Sequence, residues 1–349
     1  MPVSNPPPAR GASSNPKNRF EKLEFVADPD AEPSSLRTQF LRDSSQSFLT
    51  RNDSPDIPFR ISVNPYRGCE HGCAYCFARP THEYLGFSAG LDFESKIVVK
   101  EDAPELLRHE LSAKSWEPQP VQMSGVTDCY QPAERKLEIT RRCIAVLAEF
   151  RNPVVVITKN HLVTRDIDLF QELAKYHAVV VALSVTTLDP ELAKTLEPRA
   201  SPPARRLAAI EELAAASIPT HVMAAPCIPG LTDHEMPAIF DAAAKAGAGG
   251  GSYVPLRLPW AVAPIFEEWL DVHAPGKKEK VLGRVREMRG GKLNDPRFGS
   301  RMRGEGFYAE NMRALYELAL HKAGWKKHSR ADELSTASFR VPTDQLSLW

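Results

Sequence analysis

Short runs of β-branched residues alternate along the chain with longer stretches whose apolar positions recur at helical spacing, an order that predicts repeated βα units. The strand candidates are residues 60–64, 121–125, 154–158, 179–185, 220–225 and 251–256. Between them, 132–150 carries Leu137, Ile144, Leu147 and Phe150 near helical spacing and is stopped by Pro153. Residues 166–176 open on Asp166 as a helix N-cap. Residues 203–217 have Pro203 in the first turn and then Leu207, Ile210 and Leu213 on one face. Residues 233–246 begin at Asp233 after a Pro-Gly turn and end at Gly247, a usual C-terminal position. Six strands separated by helices imply an α/β chain with a parallel sheet, and right-handed crossovers bring the loops after the strands to one end of it.

The flanks lack this pattern. Residues 1–60 hold nine prolines among Asp, Ser and Asn without sustained periodicity, so 1–58 reads as a flexible leader and an irregular wrapping segment around a core at 59–258. After Pro259 the pattern is helical only, over 263–272, 277–289 and 305–322, which makes 259–330 a helical C-terminal extension capping the core. Residues 331–349, rich in Ser, Thr and Asp, read as a loosely attached tail. The Gly-rich run 246–252 follows a helix and precedes a strand, the reverse of nucleotide-loop order, and is a connector.

Composition narrows the function classes. Lys plus Arg and Asp plus Glu are 44 each, so global charge does not hold this protein on nucleic acid or membrane, and any basic patch is local. Hydrophobic residues at 42% and charged ones at 25% suit a soluble globular protein, and no apolar run reaches the length of a membrane span. Residues 1–18 lack the apolar stretch of a secretory signal peptide. The expected compartment is the cytoplasm, with no membrane partner.

In a reducing compartment, clustered cysteines point to a metal site or to catalysis. Of the six cysteines, Cys69, Cys73 and Cys76 fall within eight residues. The segment Asn64-Pro65-Tyr66-Arg67-Gly68-Cys69-Glu70-His71-Gly72-Cys73-Ala74-Tyr75-Cys76 follows the first core strand directly, where a barrel carries its catalytic loops. Gly68 and Gly72 free the backbone to turn tightly, so that three thiolates converge on one inorganic centre. A structural zinc takes four ligands, usually in two pairs, and no second cysteine pair exists here. A [4Fe-4S] cubane on three thiolates keeps one iron open. Zinc held by the trio with His71 or a distant thiol stays an alternative on these residues alone.

The spacing C-x3-C-x2-C, with the aromatic Tyr75 just before the third cysteine, resembles the signature of the radical S-adenosylmethionine (radical SAM) enzymes. The resemblance extends over the βα order of 59–258 and implies a partial (β/α)6 TIM-type barrel. It also implies a [4Fe-4S] cluster ligated by Cys69, Cys73 and Cys76, whose open iron binds the amino and carboxylate groups of S-adenosylmethionine. Reductive cleavage then yields a 5′-deoxyadenosyl radical that abstracts hydrogen from a substrate, the electron coming from a reductant such as flavodoxin or ferredoxin. By the same resemblance Tyr75 packs near the adenine. The loop after the second strand, with Ser124, Gly125, Thr127 and Asp128, holds the amino group, although Ser124-Gly125-Val126 stands where the family often has Gly-Gly-Glu. Ser184, ending the fourth strand, contacts the ribose, and Arg199, in Leu196-Glu197-Pro198-Arg199, meets the carboxylate bidentately.

The flank Asn64-Pro65-Tyr66 before the cysteines and the stretch Thr127 to Pro132 resemble the DNA-repair photolyase-like branch, related to spore photoproduct lyase. Lyases of that kind have a Tyr straight after the third cysteine and a hydrogen-donating Cys after the second strand. Here Phe77, which has no O–H to relay, stands at the first place and Gly125 or Val126 at the second. Cys129, a few residues on, is then the candidate catalytic hydrogen donor, with Cys227 behind it. The competing reading of either is a small buried hydrophobe. Between Lys277 and Arg303 ten basic residues face three acids, a local surplus that favours a nucleic acid partner, the competing reading being a solvated helix whose charges balance acids elsewhere in a neutral chain. Two alternatives stay open: a radical SAM enzyme acting on a protein or small metabolite, and a non-catalytic zinc protein that binds nucleic acid.

Overall fold

All six expected runs fold as strands within two residues of the expected bounds, and the central run Val179–Ser184 is buried throughout, covered on both faces. The computed structural model describes residues 7, 9–21, 37–326 and 334–342. Its strands are β1 (Gln39–Arg42), β2 (Thr50–Arg51), β3 (Ile61–Val63), β4 (Tyr66–Arg67), β5 (Lys96–Val99), β6 (Val121–Met123), β7 (Val154–Thr158), β8 (Val179–Ser184), β9 (Thr220–Cys227) and β10 (Gly250–Pro255). The main sheet has the order β10-β9-β8-β7-β6-β3-β2. Strands β3, β6, β7, β8, β9 and β10 run parallel, and β2 closes one edge antiparallel. The register stacks valines across the sheet, as in Val154 beside Val179 and Val156 beside Val181. Helices Ala103–Ser112, Ile139–Phe150, Ile167–Ala174, Pro203–Ala215 and Met236–Lys245 make the crossovers. The result is an open α/β sheet, a partial barrel whose loops of interest lie at the C-terminal strand ends.

Three local departures have physical causes. The helix expected over 132–150 is broken at Glu138, which adopts a left-handed conformation. The buried carboxylate of Glu134 folds back to accept the amide N–H groups of Thr140 (3.0 Å) and Arg141 (3.2 Å), restarting the helix with its first donors satisfied. Asp166 does not cap its helix through its side chain. Instead, its carboxylate lies buried against Arg141 and Arg165 and accepts from Tyr130 at 2.9 Å. Asp233 opens a short 3-10 turn rather than the helix, accepting from Gly230 N–H at 2.9 Å and from the Tyr308 hydroxyl.

Two stretches expected to be loose are packed. Strands β1 and β2 lie within the presumed irregular segment, and β1 pairs with β5, which pairs with β4, in a second, three-stranded sheet beside the cysteine loop. Arg10, Gly11 and Ala12 are buried, so the flexible leader expected over 1–58 is corrected for residues 9–21. The remainder of that leader (1–6 and 8) and residues 22–36 lie outside the described residues. In the tail, Ser335 donates to His177 and Arg340 to Phe150 through backbone N–H groups, and the Phe339 ring lies 6.2 Å from that of Phe150. Residues 331–333 and 343–349 lie outside the described residues.

The C-terminal helices Val262–His273, Lys278–Met288 and Phe307–Lys322 follow. The last packs beside β10, where Tyr316 meets Tyr253 at 4.9 Å and Phe240 at 5.9 Å. No described helix is long and apolar enough to cross a membrane.

Candidate active site

The loop leaving β3 is drawn over the strand ends by hydrogen bonds from its neighbours. Asn64 accepts the N–H groups of Gly125 and Val126, both at 2.9 Å, tying it to the loop after β6. Glu70 N–H donates to Gln131 (2.8 Å), whose amide returns a bond to the Gly68 carbonyl. Gly68 and Gly72 take φ of +79° and +66°, and a Cβ on Gly72 would run into the Glu94 carboxylate, so the tight turn requires glycine at both.

Cys69 and Cys73 are buried and Cys76 half-buried, all three as free thiols. Burial pushes each thiol up from its usual range. Lys159 and Arg206 pull Cys73 back, and Arg79 pulls Cys76 back. The trio is near enough that Cys73 and Cys76 each raise Cys69. Such a donor set suits an iron–sulfur cluster: bound metal would compensate the charge of three buried thiolates, which burial otherwise keeps protonated. Cys129, Cys143 and Cys227 lie apart in the main core.

Arg79, fully buried, anchors the underside of the loop. Its guanidinium donates to the carbonyls of Cys73 (2.9 and 3.0 Å), Gly72 (3.2 Å), Ala89 and Gly90 (both 3.1 Å), and pairs with Glu94 at 2.5 Å. Glu94 in turn accepts the N–H groups of Gly11 (3.1 Å) and Ala12 (2.9 Å), so the N-terminal segment is strapped across the loop.

Behind Tyr75 lies a second buried network. Glu197 accepts from the Tyr75 hydroxyl, from Arg206 and from Thr186 (2.7 Å), with Lys159 Nζ at 3.3 Å. Lys159 also reaches the Ala225 carbonyl at 2.8 Å, and Arg206 the Ser184 carbonyl at 2.9 Å. Burial pushes the Glu197 carboxyl upward, but Arg206 and Lys159 outweigh it and hold it well below the usual carboxylate range. Two cations against one carboxylate leave this corner of the site positive.

His71 is buried between Asp128 (3.4 Å) and the Asn160 amide (3.2 Å), and Asp128 accepts from Thr158 and from Lys159 N–H, both at 2.7 Å. Burial would raise Asp128, but His71 and these donors bring it below its ordinary value.

The residues singled out from the sequence fare unequally. Tyr75 sits at the strand ends, its hydroxyl pinned and its ring beneath Lys159 at 5.7 Å. Ser124, at φ +74°, accepts the Cys129 N–H at 2.8 Å, which holds its strained loop. Thr127 donates to the Tyr66 carbonyl (3.2 Å), and Ser184 is buried at the end of β8. Arg199 is committed to Glu70 at 2.8 Å and so braces the cysteine loop rather than presenting a free bidentate fork. Cys129 has no exposed surface and packs in the main core, its carbonyl taking the Thr140 hydroxyl at 2.6 Å, which favours the competing reading of a small buried hydrophobe.

Half of the ten basic residues of 277–303 have partners among the described residues. Lys278 pairs with Asp271 (2.6 Å), Arg297 with Asp295 (2.9 Å) and Arg301 with Asp56 (2.5 Å). Arg284 donates to the Tyr308 hydroxyl (2.7 Å), and Arg289 lies buried on carbonyls.

Sequence reasoning missed Lys159, Arg79, Glu94 and the role of Glu197. For Lys159 a signal existed: a lone cation directly after an apolar strand, at the end where barrels place their chemistry. Arg79 and Glu94 carry none: Arg79 meets its partners across aperiodic loops, and Glu94 reaches Gly11 and Ala12 from the far end of a long separation.

The pattern of the Radical SAM superfamily matches residues 63–243. An uncharacterized protein of Mycobacterium tuberculosis is 40% identical over 234 residues, 66% of this chain and 68% of that protein. One of Methanocaldococcus jannaschii is 30% identical over 174 residues, 50% and 62% of the two. Among solved structures, a spore photoproduct lyase mutant has a TM-score of 0.59 at 15% identity, covering 81% of this chain and 78% of that one. Spore photoproduct lyase complexed with dinucleoside spore photoproduct has 0.57 at 14%, covering 81% and 79%. At such identities the likeness is one of fold. The superfamily match, however, spans more than half of this chain and takes in the cysteine loop with the strand ends that face it, so the chain belongs to the radical SAM superfamily, whose enzymes use a [4Fe-4S] cluster and S-adenosylmethionine.

Proposed function

We propose that Cys69, Cys73 and Cys76 ligate the cluster and that the enzyme acts on nucleic acid, in the manner of its photolyase-like fold relatives. The observation that carries the ligand assignment is the placement of three free thiols on one Arg79-anchored turn at the mouth of the parallel sheet. When bound, the cluster and S-adenosylmethionine supply a 5′-deoxyadenosyl radical. The protein's own tasks are ligation, orientation and exclusion of water. Arg79 and Glu94 hold the turn in shape. Lys159 and Arg206, two cations around Glu197, give the Tyr75 corner a positive field suited to a carboxylate. Tyr75 offers a ring to the adenine, while the loop of Ser124, Gly125, Thr127 and Asp128 and the end of β8 at Ser184 border the same space. Arg199 acts through Glu70 and the loop. Phe77 in place of a hydroxyl-bearing ring points to a hydrogen-return route different from that of the lyases.

Anaerobic reconstitution should load iron and sulfide, and reduction with S-adenosylmethionine should release 5′-deoxyadenosine. Tightly held zinc without iron overturns the ligand assignment. Product analysis with irradiated DNA, RNA and peptides tests the substrate class, and turnover of peptide alone rejects nucleic acid.

A further inference from the structure

A guanidinium left without partners beside an exposed aromatic ring is a site waiting for an anion with a flat face. Arg257 is such a group. It follows β10 between Leu256 and Leu258, both buried in the apolar cluster that holds Cys73, Ala74 and Tyr75. Leu256 N–H donates to Cys227 at 3.0 Å and Leu258 N–H to Leu293 at 3.3 Å, fixing the backbone on both sides. Arg257 makes no hydrogen bond or ion pair among the described residues. Its guanidinium lies over the Phe77 ring at 5.1 Å, and Phe77, next in the chain after Cys76, is 46% exposed.

Two more arginines crowd the same place. Arg301 stacks on Phe298, 60% exposed, at 4.5 Å, and is neutralised by Asp56. Arg289 bonds the carbonyls of Leu256 (3.0 Å) and Arg301 (2.7 Å), clamping the Arg257 and Arg301 segments together. Burial and then Arg301 lower Arg257, with Asp56 opposing, while burial and then Arg257 push Arg289 down to about 10. Burial leads in both shifts, and the neighbouring arginines add to it.

We infer that Arg257 and Phe77, flanked by Arg301 and Phe298, form a nucleotide subsite at the rim of the cysteine loop, taking a backbone phosphate on the guanidinium and a base on the phenyl ring. The inference rests on the nucleic acid reading above and places recognition at the end of β10, outside the 277–303 stretch save for Arg301.

The test is fluorescence anisotropy of a labelled 12-nucleotide single-stranded DNA on reconstituted, anaerobic, full-length protein over a salt series. Arg257→Gln should weaken binding about tenfold and lower the slope of log affinity against log salt by about one, as for one lost phosphate contact. Arg257→Lys, which keeps the charge and loses the fork, should fall between, and it serves if the Gln variant does not fold. Phe77→Leu should weaken binding about fivefold or more with the salt slope unchanged, a stacking loss. Equal weakening by Lys277→Gln and Lys292→Gln would mean diffuse charge and overturn the subsite. So would wild-type affinity in Arg257→Gln, or equal binding of a polyglutamate peptide. Release of 5′-deoxyadenosine by the same preparation separates the two failures: cofactor cleavage without DNA binding removes the subsite and leaves the radical SAM reading intact, while no cleavage removes that reading whatever binds.

Discussion

Glu197→Gln strips the buried Tyr75 corner of the carboxylate that faces Arg206 and Lys159. Glu197 is 2% and Arg206 1% exposed, so solvent does not screen what remains, and removing one partner of a buried pair costs about 3–5 kcal/mol. Gln keeps the shape and accepts from Tyr75 or Thr186, but its amide nitrogen has nothing to offer Arg206. Unfolding entropy near 2.1 cal/mol/K per residue gives roughly 0.7 kcal/mol/K for this chain, so the midpoint should drop by about 4–7 °C. Circular dichroism melts of anaerobic protein, with and without cluster, measure it. Arg206→Met and the double variant close a cycle, and a coupling above about 1.5 kcal/mol is expected for neighbours in one network. The acid limb supplies a second check. The Glu197 carboxyl is held below its ordinary value of 4.5, so the unfolded chain takes up the proton first. The stabilisation is therefore complete above that value and is lost as pH falls below it, and the variant should lack that part of the slope. A midpoint change under about 1 °C together with an unaltered acid limb would refute the network's role.

Glu94→Gln should leave Arg79 without its counter-charge and release the Gly11–Ala12 strap, speeding tryptic cleavage at Arg10 and Arg19 and bleaching of the iron–sulfur absorption in air; unchanged rates would mean the strap is held elsewhere. His82 is fully buried, both ring nitrogens lack partners among the described residues, and burial pushes it down to about 4 from 6.5. The unfolded chain therefore protonates first as pH falls below 6.5, and the fold should lose about 3 kcal/mol between there and pH 4; His82→Phe should flatten this slope in urea titrations, and a parallel slope would exonerate His82. Cys129→Ala should cost about 1 kcal/mol of core packing and leave the ratio of substrate product to 5′-deoxyadenosine as in wild type; a changed ratio would restore Cys129 as hydrogen donor.

What the sequence determined by itself was local. Valine runs and helical spacing specified six parallel strands and their crossovers, because period and burial reside in neighbouring residues, and Cys69, Cys73 and Cys76 could be recognised because a single turn carries all three. Which polar groups surround that turn was decided only by the tertiary structure. Glu70 meets Arg199 from 129 positions away and Tyr75 meets Glu197 from 122, so no window of sequence contains both partners. Arg199 looked free for a ligand until the fold supplied Glu70. For Cys129 the packing favours the buried-hydrophobe reading over the hydrogen-donor one, and the basic stretch looked like a polyanion face until Asp56 and Asp271 arrived from other elements. Charge balance and access depend on how crossovers bring distant residues together, and that is a property of packing rather than of pattern.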